Sequence, residues 1–122
     1  MSKYRKELGK WGEQQAETYL RQNGLQIIDR NVRTPHGELD LIGHEDQDLV
    51  FIEVKTRTNM TFGYPEVSVN PRKQNHLIAS ALYYVQNHPE ESGNWRIDVI
   101  SIQKTQNKVE PVQIEGFKNA IQ

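Results

Sequence analysis

The chain reads as an α/β domain, a mixed central β-sheet flanked by helices in the order α-β-β-β-α-β-β. Two stretches carry apolar residues at three- and four-residue steps, and several short runs are rich in Ile and Val. The second helical stretch falls between strands, where it can serve as a crossover, while the earlier strands are close enough in sequence to meander.

The elements follow in order. From Tyr4 to Gln22 the residues Tyr4, Leu8, Trp11, Ala16, Tyr19 and Leu20 predict an amphipathic helix ended by Asn23-Gly24. Gly9 and Gly12 inside it each cost about 1 kcal/mol relative to alanine, so either the helix begins near Gly12 or its backbone approaches another element closely. Leu25 to Val32 reads as a strand, and Thr34-Pro35-His36-Gly37 as a turn. Glu38 to Ile42 and Leu49 to Thr56 read as a hairpin around the polar loop from Gly43 to Asp48. Asn59 to Pro71 lacks periodicity and reads as a loop, a functional rim or simply mobile. A helix from Arg72 to Gln86 has Leu77, Ile78, Ala81, Leu82 and Val85 as its apolar stripe. Trp95 to Ile102 and, more weakly, Val109 to Ile114 complete the strands.

A length of 122 residues suits one domain, residues 1–122, with no repeat or linker. The absence of cysteine removes disulfides, thiolate ligands and thiol nucleophiles, so any metal must be held by oxygen or imidazole. No apolar run approaches the roughly 20 residues of a membrane span, and the basic N-terminus lacks the apolar segment of a secretory signal, so a soluble, cytoplasmic protein without membrane contact is expected. The net charge of -1 excludes a general basic coat. Its distribution is uneven, however: Lys3, Arg5, Lys6 and Lys10 face only Glu7 in the first ten residues, while acid gathers at Glu45, Asp46, Asp48, Glu90 and Glu91.

Strand alternation locates the chemistry. In the third strand Val50, Ile52 and Val54 share one face and Phe51, Glu53 and Lys55 the other. In the second, the same rule groups Leu39 with Leu41, and Glu38 with Asp40. A four-residue loop at Glu45 to Asp48 would set Asp40 opposite Glu53 and Glu38 opposite Lys55. Opposed carboxylates about 5 Å apart repel unless a cation sits between them, and either Lys55 or a divalent metal answers that need. Glu-x-Lys alone is more simply a solvated strand face with a Glu38–Lys55 ion pair, but Asp40 adds an independent carboxylate to that face.

The spacing of Asp40 and Glu53-Val54-Lys55 resembles the Asp…Glu-x-Lys signature of the PD-(D/E)xK nuclease superfamily, which includes the archaeal Holliday-junction resolvases. The stretches Gly9 to Ala16, Gly37 to Ile42, Phe51 to Arg57 and Arg96 to Ile100 are similar to the YraN-type family of small bacterial proteins assigned to that superfamily, over roughly residues 4 to 117. The resemblance implies a restriction-endonuclease-like fold in which Asp40 and Glu53, with the Val54 carbonyl and waters, hold Mg²⁺ or Mn²⁺. It places Lys55 beside the attacking water or the developing charge and makes Glu13 a further ligand, directly or through water. Glu13 is equally well explained as a solvated acid in a helix's first turn. Lys73 and Gln74 match polar residues that orient such sites, although helix-start polarity explains them more simply. Arg57, Glu38 and Asp98 are secondary candidates for structural or substrate-positioning roles. The proline that often precedes the metal-binding Asp is replaced here by Leu39.

His36, His44, His76 and His88 share no helical or strand spacing and are expected at the surface. Trp11, Tyr19, Tyr83 and Tyr84 are better read as core than as base-stacking platforms. Three functions compete. The leading expectation is a metal-dependent endonuclease acting on DNA, branched or otherwise structured DNA included, for which a homodimer would be natural. The second is a nucleic-acid-binding module of the same fold with little or no hydrolysis, using the basic N-terminus, Arg30, Arg33, Arg57, Arg72 and Lys73 on phosphates. The third is a partner-binding protein whose acids are only the wet face of a sheet.

Overall fold

The computed structural model describes residues 3–58, 69–91 and 93–122. Its elements are α1 (Lys3–Gln22), β1 (Gln26–Thr34), β2 (Gly37–Glu45), β3 (Asp48–Thr58), α2 (Pro71–Gln86), β4 (Trp95–Lys104) and β5 (Val112–Ile121), the expected α-β-β-β-α-β-β order. They build one five-stranded sheet in the order β1-β2-β3-β4-β5, with β3 and β4 parallel and the other neighbours antiparallel. Most of the expected loop from Asn59 to Pro71 lies outside the described residues, and Pro71 itself opens α2.

Both faces of the sheet are covered, which is why β3 and β4 carry nearly continuous apolar runs. On the α1 side Ala16, Leu25, Leu41, Val50, Ile52, Ile100 and Ile102 pack together. On the α2 side Leu39, Ile42, Phe51, Leu77, Ala81, Tyr84, Ile97 and Val99 do so. Each such large side chain stabilises the fold by roughly 1.5–3 kcal/mol.

Of the two explanations for glycine in α1, close approach is the one realised at Gly12. A Cβ there would lie 1.9 Å from Thr56 Oγ1, so the helix axis rests directly against β3. Gly9, by contrast, faces open space. The helix ends where expected: the Gly24 and Leu25 amides donate to the carbonyls of Arg21 and Leu20, with Gly24 at φ +93°. Those are the paired bonds of a Schellman cap.

Helix α2 begins at a capped N-terminus, where the Asn70 side chain accepts from the Lys73 amide at 2.8 Å. Its buried face differs from the expected stripe. Leu77 and Ala81 are buried and Ile78 and Val85 partly so, but Leu82 is 43% exposed while Ser80 and Tyr84 take inward places. Ser80 tolerates burial because its hydroxyl bonds to Thr34 Oγ1 at 2.9 Å.

Two boundaries also move. The hairpin turn contains only Asp46 and Gln47, with Asp46 at φ 53° and Glu45 paired to Asp48, instead of a four-residue loop. The register is unchanged, since Leu41 still faces Ile52. Val109 belongs to a turn, not to β5: its amide donates to Asn107 Oδ1 at 2.8 Å and the residue is 89% exposed. Among the described residues no helix is long and apolar enough to cross a membrane.

Candidate metal centre

The pairing of β2 with β3 runs from Glu45↔Asp48 to Leu41↔Ile52 and stops there. Strand β3 keeps its β4 partner as far as Thr58↔Lys104, so from Glu53 onward only its β2 side opens. Asp40 stands at this fork and accepts the Val54 amide on Oδ2 at 2.9 Å, satisfying a donor that the ended ladder would leave unpaired.

The expected alternation along β2 fails at the same point. Leu39 packs on the α2 side of the sheet and Leu41 on the α1 side, not together. The neighbouring strand explains it: Arg30 pairs with Leu41 and Val32 with Leu39, and between them Asn31 takes φ 50°, a left-handed conformation asparagine adopts more readily than most residues. Both strands change face across this step. Neither expected opposition, Asp40 to Glu53 or Glu38 to Lys55, is among the register pairs of β2 and β3, which end at Leu41↔Ile52; across β1 Glu38 pairs with Arg33, whose Nε lies 3.9 Å from Glu38 Oε2.

This face change lets two elements reach Asp40 electrostatically. From β3, Glu53 is 8% exposed and its pKa is pushed up to about 8, first by burial, then by its hydrogen bond to Asp40 and by that neighbour's charge, with Lys73 opposing. From α1, Glu13 is raised to about 7, mainly by partial burial and further by Asp40 and Glu38. With its amide nitrogen turned toward these acids, Asn31 donates to Glu13 Oε1 and Glu38 Oε1, each at 3.1 Å. Sequence reasoning overlooked Asn31; the signal was a single Asn inside the strand-like run from Ile27 to Val32.

Beside Glu53 lies a cleft of about 340 Å³ whose lining includes Lys55, Arg57, Asn70 and Lys73. Lys73 Nζ lies 3.5 Å from Glu53 Oε2, within ion-pair distance, and that buried oxygen has no hydrogen-bond partner. Gln74 turns elsewhere: its Nε2 donates to the Val69 carbonyl at 2.6 Å and holds the approach to α2. Asp98 lies in a different network, accepting from Arg96 Nε at 3.0 Å and from the Asn119 amide at 2.8 Å.

His36 and His76 are exposed as expected. His44 and His88 are half-buried, however, the first 2.7 Å from Glu91 and the second bonded to the Tyr84 carbonyl and stacked on its ring. Trp11 and Tyr19 pack against the α1-side core, and Tyr84 is buried. Tyr83 is instead 37% exposed, edge-on to His36.

The donor set fits a particular kind of cation. Among the described residues no group of three or more His, Asp or Glu is placed to hold a metal ion. Asp40 and Glu53 are neighbouring acids, and one buried oxygen of Glu53 lacks a hydrogen bond. Such a pair suits Mg²⁺, which takes one or two carboxylates and keeps several waters, and does not suit an all-protein cage.

A mixed sheet between helices, with acids and a lysine gathered at a strand fork, defines a restriction-endonuclease-like domain. The model of the "Uncharacterised protein family UPF0102" matches residues 12–102. A UPF0102 protein of Dehalococcoides mccartyi is 45% identical over 121 residues, covering 99% of this chain and 98% of that relative. One from Syntrophotalea carbinolica is 38% identical, covering 98% and 95%, and one from Syntrophomonas wolfei is 45% identical, covering 80% and 84%. The chain belongs to the UPF0102, or YraN-type, family of the restriction-endonuclease-like superfamily.

Proposed function

We propose that this protein is a metal-dependent endonuclease that hydrolyses DNA phosphodiester bonds, branched or structured DNA included. The observation that carries the reading is Glu53: a buried acid beside a second acid, Asp40, whose charge helps raise its pKa, with one oxygen lacking a hydrogen bond, next to a cleft lined by Lys55, Arg57 and Lys73. A buried acid beside a second acid favours taking up a cation, and the basic lining favours a phosphate next to it.

Asp40 and Glu53 would hold Mg²⁺ or Mn²⁺, which when bound supplies Lewis acidity and a water of lowered pKa. Asp40 is fixed for this role by the Val54 amide. Lys55, which lines the cleft, would supply positive charge to the phosphorane oxygens as theirs develops. Glu13, whose pKa is raised in part by the charge of Asp40, would be a further ligand, directly or through water. Lys73 neutralises Glu53 in the free protein and becomes available to phosphate once another cation takes that place.

Incubation with linear, flapped and four-way-junction DNA and Mn²⁺ tests the reading. Cleavage should depend on Asp40, Glu53 and Lys55; intact substrates at high protein concentration, or cleavage that survives Asp40→Ala and Glu53→Ala, would overturn it. A second reading, a binding module that does not cut, draws on the lack of any three-residue ligand group among the described residues. DNA retained but never cut would select it.

A further inference from the structure

Helix α1 carries a continuous charged stripe. At 3.6 residues per turn Lys3, Lys6, Lys10, Glu13, Glu17 and Arg21 fall within about 80° of one another around the axis. The stripe is divided by sign and by pairing. Toward the C-terminus, Glu17 engages Arg30 at 2.6 Å and Arg21 at 2.9 Å, so those guanidiniums are already neutralised. Toward the N-terminus, Lys3, Lys6 and Lys10 are all exposed and outnumber the one acid beside them, Glu7, and none of the three forms an ion pair among the described residues. Three solvated cations in a row stand out on a chain of net charge -1.

Their position relative to the acids gives the row a direction. Lys10 lines a second cleft, of about 490 Å³, that also contains Glu13, Arg30 and Asn31. Glu13 is one helical turn beyond Lys10 and in electrostatic contact with Asp40. At about 1.5 Å per residue, the row from Lys3 to Lys10 spans roughly 10 Å and ends one turn short of Glu13. A merely solubilising charge run has no reason to lead into a cleft or to stop at its acids.

We infer that Lys3, Lys6 and Lys10 form a phosphate track along α1 that delivers a nucleic-acid backbone to the centre at Asp40 and Glu53. The inference rests on the nuclease reading and adds the path by which substrate enters. A single row on one helix matches one strand's backbone, and the binding it supplies is sequence-independent and salt-sensitive.

The test is the salt dependence of binding, measured by fluorescence anisotropy with labelled single-stranded and duplex oligonucleotides, without divalent metal. In the K3Q/K6Q/K10Q variant the slope of log affinity against log salt should flatten by about 2 on single strands or about 3 on duplex, from roughly 0.7 or 0.9 per phosphate contact. Lys108→Gln, on an exposed turn, is the control and should leave the slope unchanged. Circular dichroism should show α1 intact, because these side chains are solvated. A wild type that cuts DNA while the triple variant keeps its full slope overturns the track and leaves the nuclease reading standing. A wild type that neither binds nor cuts overturns both.

Discussion

The Val54 amide donates to Asp40 Oδ2 at 2.9 Å across the fork between β2 and β3, so one carboxylate both closes the end of a ladder and heads a cluster of acids. These two roles separate by substitution. Asp40→Asn retains an oxygen for the Val54 amide and removes the like charge from Glu53 and Glu13, so stability should hold or rise, while metal binding and cleavage fall by about a hundredfold or more. Asp40→Ala leaves that amide without its partner and should cost about 1–3 kcal/mol as well. Thermal melts beside calorimetric Mn²⁺ titration check this; equal destabilisation by both variants would contradict it.

The raised acids set the sign of the pH dependence. A carboxyl group whose folded pKa exceeds 4.5 binds more protons folded than unfolded, so unfolding free energy falls as pH rises through that window. The window runs from 4.5 to about 8 for Glu53 and to about 7 for Glu13. Glu17 and Glu45, held low by arginine partners, act in the opposite sense, and only below 4.5. In EDTA the melting temperature should therefore fall, on the order of 5 °C, between pH 5.5 and 8.5. Glu53→Gln should remove most of that slope, and Mn²⁺ above pH 7.5 should restore stability to the wild type but not to Asp40→Asn. A flat wild-type profile in EDTA would count against the buried pair.

The register of the β2–β3 hairpin was legible because a short polar loop suffices to set it, which is why Leu41 faces Ile52, although the pairing ends there before reaching Asp40 and Glu53. The face of Leu39 was not legible. It depends on Asn31 in the neighbouring strand, and a hairpin considered by itself contains no information about that left-handed residue. Val109 misled for a related reason: an apolar residue raises strand expectation, but Asn107 and Thr105 offer local side-chain hydrogen bonds that close a turn there. Ser80 was invisible as a core residue because its burial depends on Thr34, 46 positions away.

The two glycines of α1 should respond oppositely. Gly12→Ala places a Cβ 1.9 Å from Thr56 Oγ1 and should push the helix off β3, costing about 1–3 kcal/mol and disturbing adjacent Glu13. Thr56→Ala added to it should recover only part, because Thr56 Cβ itself would remain at 2.9 Å. Gly9→Ala meets nothing within 4 Å and should stabilise by up to about 1 kcal/mol. Chemical denaturation of the three variants measures all of this, and a neutral Gly12→Ala would refute the close approach.

Arg96 ties the hairpin turn to the sheet away from the carboxylate centre. Its guanidinium, 16% exposed, lies 3.0 Å from Asp98, 3.0 Å from Glu45 and 3.3 Å from Asp48, joining β4 to the last residue of β2 and the first of β3. Asp98 also accepts the Asn119 amide of β5, so the network spans four strands. Removing the cation leaves a buried carboxylate beside two others, and Arg96→Ala should cost about 3 kcal/mol. Arg96→Lys should recover only a fraction, since an ammonium cannot reproduce the planar fork. Because most of the damage is the stranded charge, Asp98→Asn added to Arg96→Ala should be less destabilising than Arg96→Ala alone. Mn²⁺ binding by the folded fraction should be unchanged in all three variants, which separates this clip from the site at Asp40; a double variant weaker than the single would show that lost packing, not stranded charge, governs the network.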